Sequence, residues 1–299
     1  MNKACPCPYL PCKLRNNCEA CIKKNRQDET LCNCMERTAK KLGAVPLFHY
    51  PATVLCVGEA EVAKTCADII ARRLKEKPDA LLCFPAGESA RGTFAELVRM
   101  AREKTIDFSR ARFVQLDEWL DLEDEQENCG AFLRRNFYGP AGIRDEQITL
   151  FDIHAADMND ACRLMDQYIA GEGPIDIMLL GLGMNGHLGL NEPGVNWDNY
   201  SVVVDLDETT KKVGQKYFSG SMKLSRGITL GMRYMFESTR VILQVMGEKK
   251  AGILRDIYST APVMDLPGTV MQLLHDGLVV TDEKAAALLD RDLLHPVSP

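Results

Sequence analysis

A glycine-rich stretch at residues 181–194, GLGMNGHLGLNEPG, holds the groups best suited to proton transfer. His187 and Glu192 lie five residues apart within it, and both side-chain types can move protons near neutral pH. The glycines around them permit close approach of the backbone to a ligand. The alternative is a glycine-rich turn with a surface histidine. Two neighbouring asparagines, and a preceding apolar run that is typical of a central parallel strand, favour a ligand site.

A second candidate base follows another predicted strand. Residues 111–116, ARFVQL, have the apolar character of a buried strand and end directly at Asp117 and Glu118. Paired acids at the carboxyl end of a strand resemble a general-base position. A helix or turn cap is the alternative for such a pair.

A third stretch could bind an anion. PAGESA, which contains Gly87, Glu88 and Ser89, lies between a predicted strand at 80–84 and a predicted helix at 91–103. Free backbone N–H groups and the helix dipole make such a turn a site for phosphate. It is not a Walker loop, because no GK[ST] follows.

Basic residues could close a phosphate pocket around this turn. They are Lys216, Lys223, Arg226, Lys249 and Lys250, and Arg91 directly after the turn could add a charge-assisted contact. Each one alone is most often a solvated side chain, so only their combination with the turn predicts a pocket.

The elements that must position these groups alternate along the chain. Short apolar strands are predicted at 53–57, 80–84, 111–116, 148–151, 175–180, 201–204, 228–230, 241–245 and 278–281. Helices are predicted at 59–75, 91–103, 132–137, 160–170, 208–217, 249–258, 270–275 and 284–289. Helices that separate short apolar strands indicate an α/β protein with a mostly parallel sheet that is covered on both faces.

The overall composition argues against some classes of function. The chain has 299 residues, 46% of them hydrophobic, and a net charge of −6 with an isoelectric point of about 5.5. Nucleic-acid-binding domains are usually basic, so no nucleic-acid partner is expected. The sequence has no run of eighteen apolar residues and no signal-peptide core. We therefore expect no membrane contact and a cytoplasmic location.

Cysteine is unevenly distributed. Seven of the twelve cysteines fall within the first 34 residues: Cys5, Cys7, Cys12, Cys18, Cys21, Cys32 and Cys34. Residues 1–45 are polar, and we predict a small module held by a structural zinc ion, followed by a main domain at 46–299. An iron–sulfur cluster and a disordered tail are the alternatives. The other five cysteines lie in apolar or helical patterns and are predicted to be buried: Cys56, Cys66, Cys83, Cys129 and Cys162.

Five motifs in order resemble one enzyme family over roughly residues 50–285. PAGESA, QLDEW, GLGMNGHLGLNEPG, SRGITLGM and VMGEKKA are similar to the glucosamine-6-phosphate and galactosamine-6-phosphate isomerase/deaminase family. GHLGLNEPG is the most specific part, because the sister group, 6-phosphogluconolactonase, keeps a similar Gly-His without the Asn-Glu-Pro. The resemblance implies a doubly wound, Rossmann-like fold that binds a sugar phosphate, release of ammonia without a metal or organic cofactor, and a homo-oligomer.

The resemblance also implies roles for particular residues. Asp117 would be the enolising base, His187 would assist ring opening, and Glu192 would be its carboxylate partner. The residues that would contact phosphate are Gly87, Glu88 and Ser89 in the turn, Lys216, which falls where the family often has arginine, and Arg226, which lies close to a phosphate-binding lysine of some members.

Two departures from the family pattern bear on the expected activity. Asn185 stands where an acid usually precedes the Gly-His, and the galactosamine-6-phosphate type also reads NGHLGLNEPG, which makes that sugar a candidate substrate. Val202 and Val204 stand where allosterically activated members carry basic residues, so no such activation is expected. A lactonase that activates water with His187, and a non-catalytic sugar-phosphate sensor, are the rival interpretations.

Overall fold

The computed structural model describes residues 50–122, 124–290 and 295–296. The predicted zinc module at residues 1–45 lies outside the described residues, as do all seven of its candidate ligands: Cys5, Cys7, Cys12, Cys18, Cys21, Cys32 and Cys34. The zinc ion therefore stays a prediction. The remaining five cysteines are buried as free thiols, which confirms that expectation.

The strands of the described residues form two sheets. They are β1 (Ala52–Cys56), β2 (Leu81–Phe84), β3 (Arg112–Gln115), β4 (Asp117–Trp119), β5 (Ile148–Thr149), β6 (Ile177–Gly181), β7 (Val202–Asp205), β8 (Arg226–Thr229), β9 (Val241–Val245), β10 (Gly277–Asp282) and β11 (His295–Pro296). The larger sheet has the order β11-β1-β10-β9-β6-β2-β3-β5. All its pairings are parallel.

The smaller sheet is antiparallel, in the order β4-β8-β7. The strands predicted near residues 201–204 and 228–230 exist, but they belong to this sheet and not to the parallel one. Asp117 begins β4 and lies opposite Thr229. The chain therefore leaves the parallel sheet at Leu116 and enters the second sheet at once, which places both acids of the predicted base position in a strand.

Helices cover the parallel sheet. The α-helices are α1 (Glu59–Glu76), α2 (Arg91–Arg102), α3 (Cys129–Leu133), α4 (Gly139–Ala141), α5 (Met158–Glu172), α6 (Glu208–Gly214), α7 (Arg233–Glu237) and α8 (Ala251–Ser259). A short π-helix, Arg134–Tyr138, joins α3 to α4. The helices predicted at 270–275 and 284–289 are 3₁₀ segments instead, Pro267–Gln272 and Ala285–Leu288. Short connections of this kind favour the tighter 3₁₀ geometry.

Successive residues of the central strands pack into two different cores. In β2, Leu81 contributes to one core and Leu82 to the other. The first core includes residues of α5 and α8, and the second includes residues of α1 and α2. Alternation with a period of two is what a strand buried on both faces requires. The predicted α/β fold with a mostly parallel, doubly covered sheet is therefore confirmed. No described helix is long and apolar enough to cross a membrane.

Candidate active site

A cavity of about 340 Å³ lies where several strands of the parallel sheet end. Segments that follow β2, β3, β6 and β9 line it, together with α6 and the 3₁₀ turn after α6. The cavity is bordered by most of the predicted site residues: Gly87, Glu88, Ser89, Asp117, His187 and Lys216. Residues separated by up to about 130 positions in the chain thus meet at one place, as expected for the carboxyl edge of an open α/β sheet.

Asp117 is the acid that borders the cavity. Its Oδ1 atom is buried and has no hydrogen-bond partner among the described residues. Burial raises the pKa of Asp117 to about 7, and the nearby charge of Glu118 adds to this shift. A carboxylate with this pKa can both take up and release a proton at neutral pH.

Glu118, the second acid of the pair, has a structural role. Its carboxylate accepts hydrogen bonds from Gln115 Nε2 and the Trp119 N–H, and from Cys129 and Gly130 N–H at the start of α3, at 2.8 to 2.9 Å. The side chain is 2% exposed. Glu118 therefore satisfies the free donors at the amino end of a helix, and this leaves Asp117 as the candidate of the pair for proton transfer.

The imidazole of His187 is held from its Nδ1 side. Nδ1 lies 3.0 Å from Thr210 Oγ1 and 3.4 Å from Glu192 Oε2. Burial alone would raise the pKa of Glu192, but hydrogen bonds from His187, Thr210 and Asn185 outweigh it and lower that pKa. Glu192 is therefore a carboxylate at neutral pH and does not line the cavity itself.

Asn185 joins two carboxylates. Its Nδ2 donates to Glu192 Oε2 at 2.9 Å and to Asp207 Oδ1 at 3.2 Å. Its Oδ1 accepts from the backbone N–H of His187 at 3.3 Å. Asp207 in turn accepts from the Thr209 N–H at 2.8 Å and caps α6. Asn185 thus acts as a structural connector between the glycine-rich loop and α6.

Glycine is required where the loop passes under the imidazole. A Cβ atom at Gly183 would lie only 2.4 to 2.5 Å from three ring atoms of His187. Gly186 and Gly189 have φ angles of +84° and +59°, which side chains with a Cβ rarely adopt. The glycine pattern therefore permits both the turn of the chain and the position of the ring.

Another part of the cavity wall carries the candidates for anion binding. Ser89 lies against the start of the glycine-rich loop, since a Cβ at Gly181 would be 2.9 Å from Ser89 Oγ. Lys250, which precedes α8, lines the cavity and donates to the backbone oxygen of Leu182. Burial lowers the pKa of Lys250 to about 8, and the charge of Lys216 contributes. Two lysines and the first turn of a helix thus offer donors to an anion.

Several of the predicted basic residues do not reach the cavity. Arg226 forms a bidentate ion pair with Asp121 at 2.8 and 3.0 Å, and its side chain is 46% exposed. Arg91 pairs with the exposed side chain of Glu88. Lys223 and Lys249 are also absent from the lining. The structure therefore does not bring the proposed phosphate ligand Arg226 into the site.

Among the lining residues that the sequence analysis did not single out are Thr210, Tyr217 and Gln244. Thr210 and Tyr217 lie on or just after α6, and ordinary helix residues of these types carry no local signal. Gln244 is fully buried in β9, where Thr93 Oγ1 donates to its Oε1 at 2.8 Å. A lone glutamine inside the apolar strand VILQV is a signal that could have identified it.

The described residues contain no group of three or more His, Cys, Asp or Glu side chains placed to hold a metal ion. The chemistry that this geometry supports directly is proton transfer by Asp117 and His187 on an anionic ligand.

Comparisons with known proteins identify the family of the chain. Residues 58–280 match the family described as glucosamine-6-phosphate isomerases/6-phosphogluconolactonase. A glucosamine-6-phosphate deaminase of Thermoanaerobacter sp. (strain X514) is 30% identical over 243 residues, which cover 80% of this chain and 96% of that protein. A glucosamine-6-phosphate deaminase of Bacillus velezensis (strain DSM 23117 / BGSC 10A6 / LMG 26770 / FZB42) is 31% identical over 235 residues, covering 78% and 98%.

Solved structures show the same fold. A structure described as a monomeric glucosamine-6-phosphate deaminase superposes with a TM-score of 0.76 at 29% identity, covering 79% of this chain and 99% of its own. The 6-phosphogluconolactonase from Trypanosoma brucei superposes with a TM-score of 0.61 at 17% identity, covering 81% and 100%, and this likeness concerns the fold alone. With its glycine-rich loop, its buried acid and its parallel sheet, the chain belongs to the glucosamine-6-phosphate isomerase/6-phosphogluconolactonase family.

Proposed function

We propose that the protein is an amino-sugar-phosphate deaminase that converts glucosamine-6-phosphate or galactosamine-6-phosphate to the ketose 6-phosphate and ammonia. The observation that carries the proposal is the meeting of Asp117 and His187 in one cavity with two lysines. Relatives named glucosamine-6-phosphate deaminase, about 30% identical over most of the chain, support it.

Phosphate binding would orient the substrate. The turn at Gly87 and Ser89 offers backbone N–H groups and a hydroxyl, and Lys250 and Lys216 offer positive charge. Holding the phosphate at this wall places the sugar carbons toward the rest of the cavity. Orientation of this kind accounts for a large part of the rate gain in proton transfers between fixed groups.

Ring opening is the role of His187. The imidazole would accept the proton of the anomeric hydroxyl and return it to the ring oxygen, which yields the open aldehyde. Glu192 has a lowered pKa and stays charged, so it stabilises the imidazolium that forms in between. Neither step requires a group other than this chain's own side chains.

Proton transfer between carbons is the role of Asp117. Its carboxylate would remove the proton from carbon 2 of the open amino sugar and deliver it to carbon 1, while a second proton passes from the amino nitrogen to the carbonyl oxygen at carbon 1. The resulting imine at carbon 2 adds water and expels ammonia, which leaves the ketose 6-phosphate. A pKa of about 7 suits a group that must accept and then donate the same proton.

One assay tests the proposal. Ammonia release is measured with glucosamine-6-phosphate and galactosamine-6-phosphate in parallel, and hydrolysis of 6-phosphogluconolactone is measured as the rival activity. Ammonia from either amino sugar, lost in Asp117→Asn, supports the proposal. Lactone hydrolysis without ammonia release contradicts it in favour of a lactonase. Binding of the sugar phosphates without any turnover contradicts it in favour of a sensor.

The choice of sugar and the assembly belong to the same proposal. Asn185 beside the Gly-His motif makes galactosamine-6-phosphate the epimer to compare first with glucosamine-6-phosphate. We also propose a cytoplasmic homo-oligomer, for which mass measurement by light scattering is the test. A structural relative described as monomeric makes a single chain the competing outcome.

A further inference from the structure

The two nitrogens of the His187 ring have different surroundings. Nδ1 lies 3.0 Å from Thr210 Oγ1 and 3.4 Å from Glu192 Oε2. No hydrogen bond from residues 50–122 or 124–290 reaches Nε2, and the ring lines the cavity. Nε2 is therefore the nitrogen available to a substrate. The groups beside Nδ1 determine which of the two nitrogens carries the proton of the neutral ring.

The negative charge beside Nδ1 determines where the proton resides. With Glu192 ionised, an unprotonated Nδ1 would direct its lone pair at a carboxylate oxygen 3.4 Å away, which is repulsive. A protonated Nδ1 instead donates to Thr210 Oγ1. The threonine hydroxyl has one proton of its own, and we assign the ionised carboxylate of Glu192, whose pKa Thr210 helps to lower, as its acceptor. Every donor in this arrangement has an acceptor.

We propose that Thr210 is a positioning residue of the candidate active site, whose hydroxyl accepts the Nδ1 proton of His187 and donates its own proton to Glu192. Thr210 thereby fixes the tautomer in which Nε2 is unprotonated and acts as the base toward the sugar. The proposal rests on the proposed deaminase function. Glu192, the partner expected from sequence, influences the ring mainly through this hydroxyl because its own oxygen lies farther from Nδ1.

The surroundings hold Thr210 in this position. The residue is 3% exposed, so water competes little for its hydroxyl. Asn185 Nδ2 donates to Glu192 and also to Asp207, which caps the helix that carries Thr210. The side-chain amide of Asn185 therefore links α6 to the carboxylate of Glu192, close to the hydroxyl of Thr210.

Two substitutions of Thr210 distinguish the effect of its hydroxyl from the effect of its side-chain shape. Thr210→Val keeps the volume and removes the hydroxyl, whereas Thr210→Ser keeps the hydroxyl. Thr65→Val, in α1 and outside the cavity lining, removes another buried threonine hydroxyl and is the matched control. We expect Thr210→Val to lower kcat by about tenfold to a hundredfold, the range for a hydrogen bond to a charged group, with KM changed by less than about twofold.

A second measurement does not depend on activity. Proteins with ¹⁵N-labelled histidine are compared by NMR without ligand, and the His187 signals are identified by their loss in His187→Gln. The wild-type ring and the Thr210→Ser ring should carry the neutral-state proton on Nδ1. Thr210→Val, or Thr210→Ala if the valine variant does not fold, should show a mixture of tautomers.

The proposal is supported if Thr210→Ser retains most of kcat while Thr210→Val loses it and the tautomer shifts. It is overturned if the wild-type ring carries its proton on Nε2, or if Thr210→Val matches Thr65→Val in both kcat and tautomer. A wild-type protein that releases no ammonia from either sugar contradicts the proposed function, and the tautomer measurement still decides the role of Thr210.

Discussion

Asp117 and Glu118 are adjacent on β4, yet only Asp117 lines the cavity and keeps a carboxylate oxygen without a hydrogen-bond partner among the described residues. Glu118 accepts four hydrogen bonds, two of them from the first turn of α3. Of two adjacent carboxylates, one thus borders the cavity and the other holds the start of α3. Substitutions at the two positions should therefore have opposite kinds of effect.

Asp117→Asn should abolish measurable turnover, with a loss of at least about 10³-fold in kcat, because the isosteric amide cannot remove a proton from carbon 2. Binding of the product ketose 6-phosphate should change little and is measured by calorimetry. Glu118→Gln is the paired variant. It should cost about 1–3 kcal/mol in the free energy of unfolding, since an amide cannot accept all four hydrogen bonds. Retained turnover in Asp117→Asn would remove this residue from the role of base.

The pH dependence of kcat/KM should be bell-shaped. Activity should rise as the pH approaches 7, because burial raises the pKa of Asp117 to about 7 and only its ionised form is a base. Activity should fall above pH 8, because burial lowers the pKa of Lys250 to about 8 and a neutral lysine binds phosphate weakly. The second pKa of a phosphate monoester is about 6, so the phosphate of the substrate does not produce the alkaline limb. A profile that is flat from pH 6 to pH 9 contradicts both assignments.

Stability should also depend on the protonation of Asp117. Its pKa in the folded protein, about 7, lies above the value of about 3.9 in an unfolded chain, so the folded state binds more protons between these values. The contribution of Asp117 to the free energy of unfolding therefore falls as the pH rises through this window. Asp117→Asn removes the buried charge, so its Tm relative to wild type should be higher at pH 8 than at pH 5. Calorimetric melting at the two pH values measures this difference.

Lys250→Met should raise KM for the sugar phosphate by about tenfold to a hundredfold and change kcat less, because a charged donor to phosphate is lost. Lys249→Met is the matched control, since Lys249 is the exposed neighbour outside the cavity lining. Arg226→Ala should also leave KM unchanged, because Arg226 pairs with Asp121 away from the cavity. Equal effects at Lys249 and Lys250 would show that the contribution is general charge and not a specific contact.

Gly183→Ala should lower kcat by displacing the imidazole, because the added Cβ would lie 2.4 to 2.5 Å from ring atoms of His187. A displacement of about 1 Å in a catalytic group can cost about a hundredfold in rate. Gly171→Ala in α5 is the control, since nothing lies within 4 Å of a Cβ there. It should leave kcat unchanged and slightly raise Tm, as alanine favours the helix. Wild-type kcat in Gly183→Ala would mean that the ring can move without loss.

Much of the parallel sheet could be predicted from the sequence. Short apolar runs such as the one before Gly181 are local signals, and the helices between them leave parallel pairing as the main solution. The glycine-rich loop and the acid after β3 were likewise evident, because glycine, histidine and carboxylate are informative at a strand end. The antiparallel position of β7 and β8 was not, since strand pairing depends on residues far apart in the chain.

The sequence by itself determined which residue types surround the site: an acid pair, a histidine in a glycine loop, an anion-binding turn and a set of basic residues. Only the tertiary structure decided which members border the cavity, because adjacent residues of a strand point to opposite faces and α3 packs on one of them. In the folded chain, Glu118 accepts hydrogen bonds from the first turn of α3, and Asp117 lines the cavity. The tertiary structure likewise brought Lys250 to the cavity in place of Arg226, and it placed Thr210, on the helix that begins at Glu208, against His187.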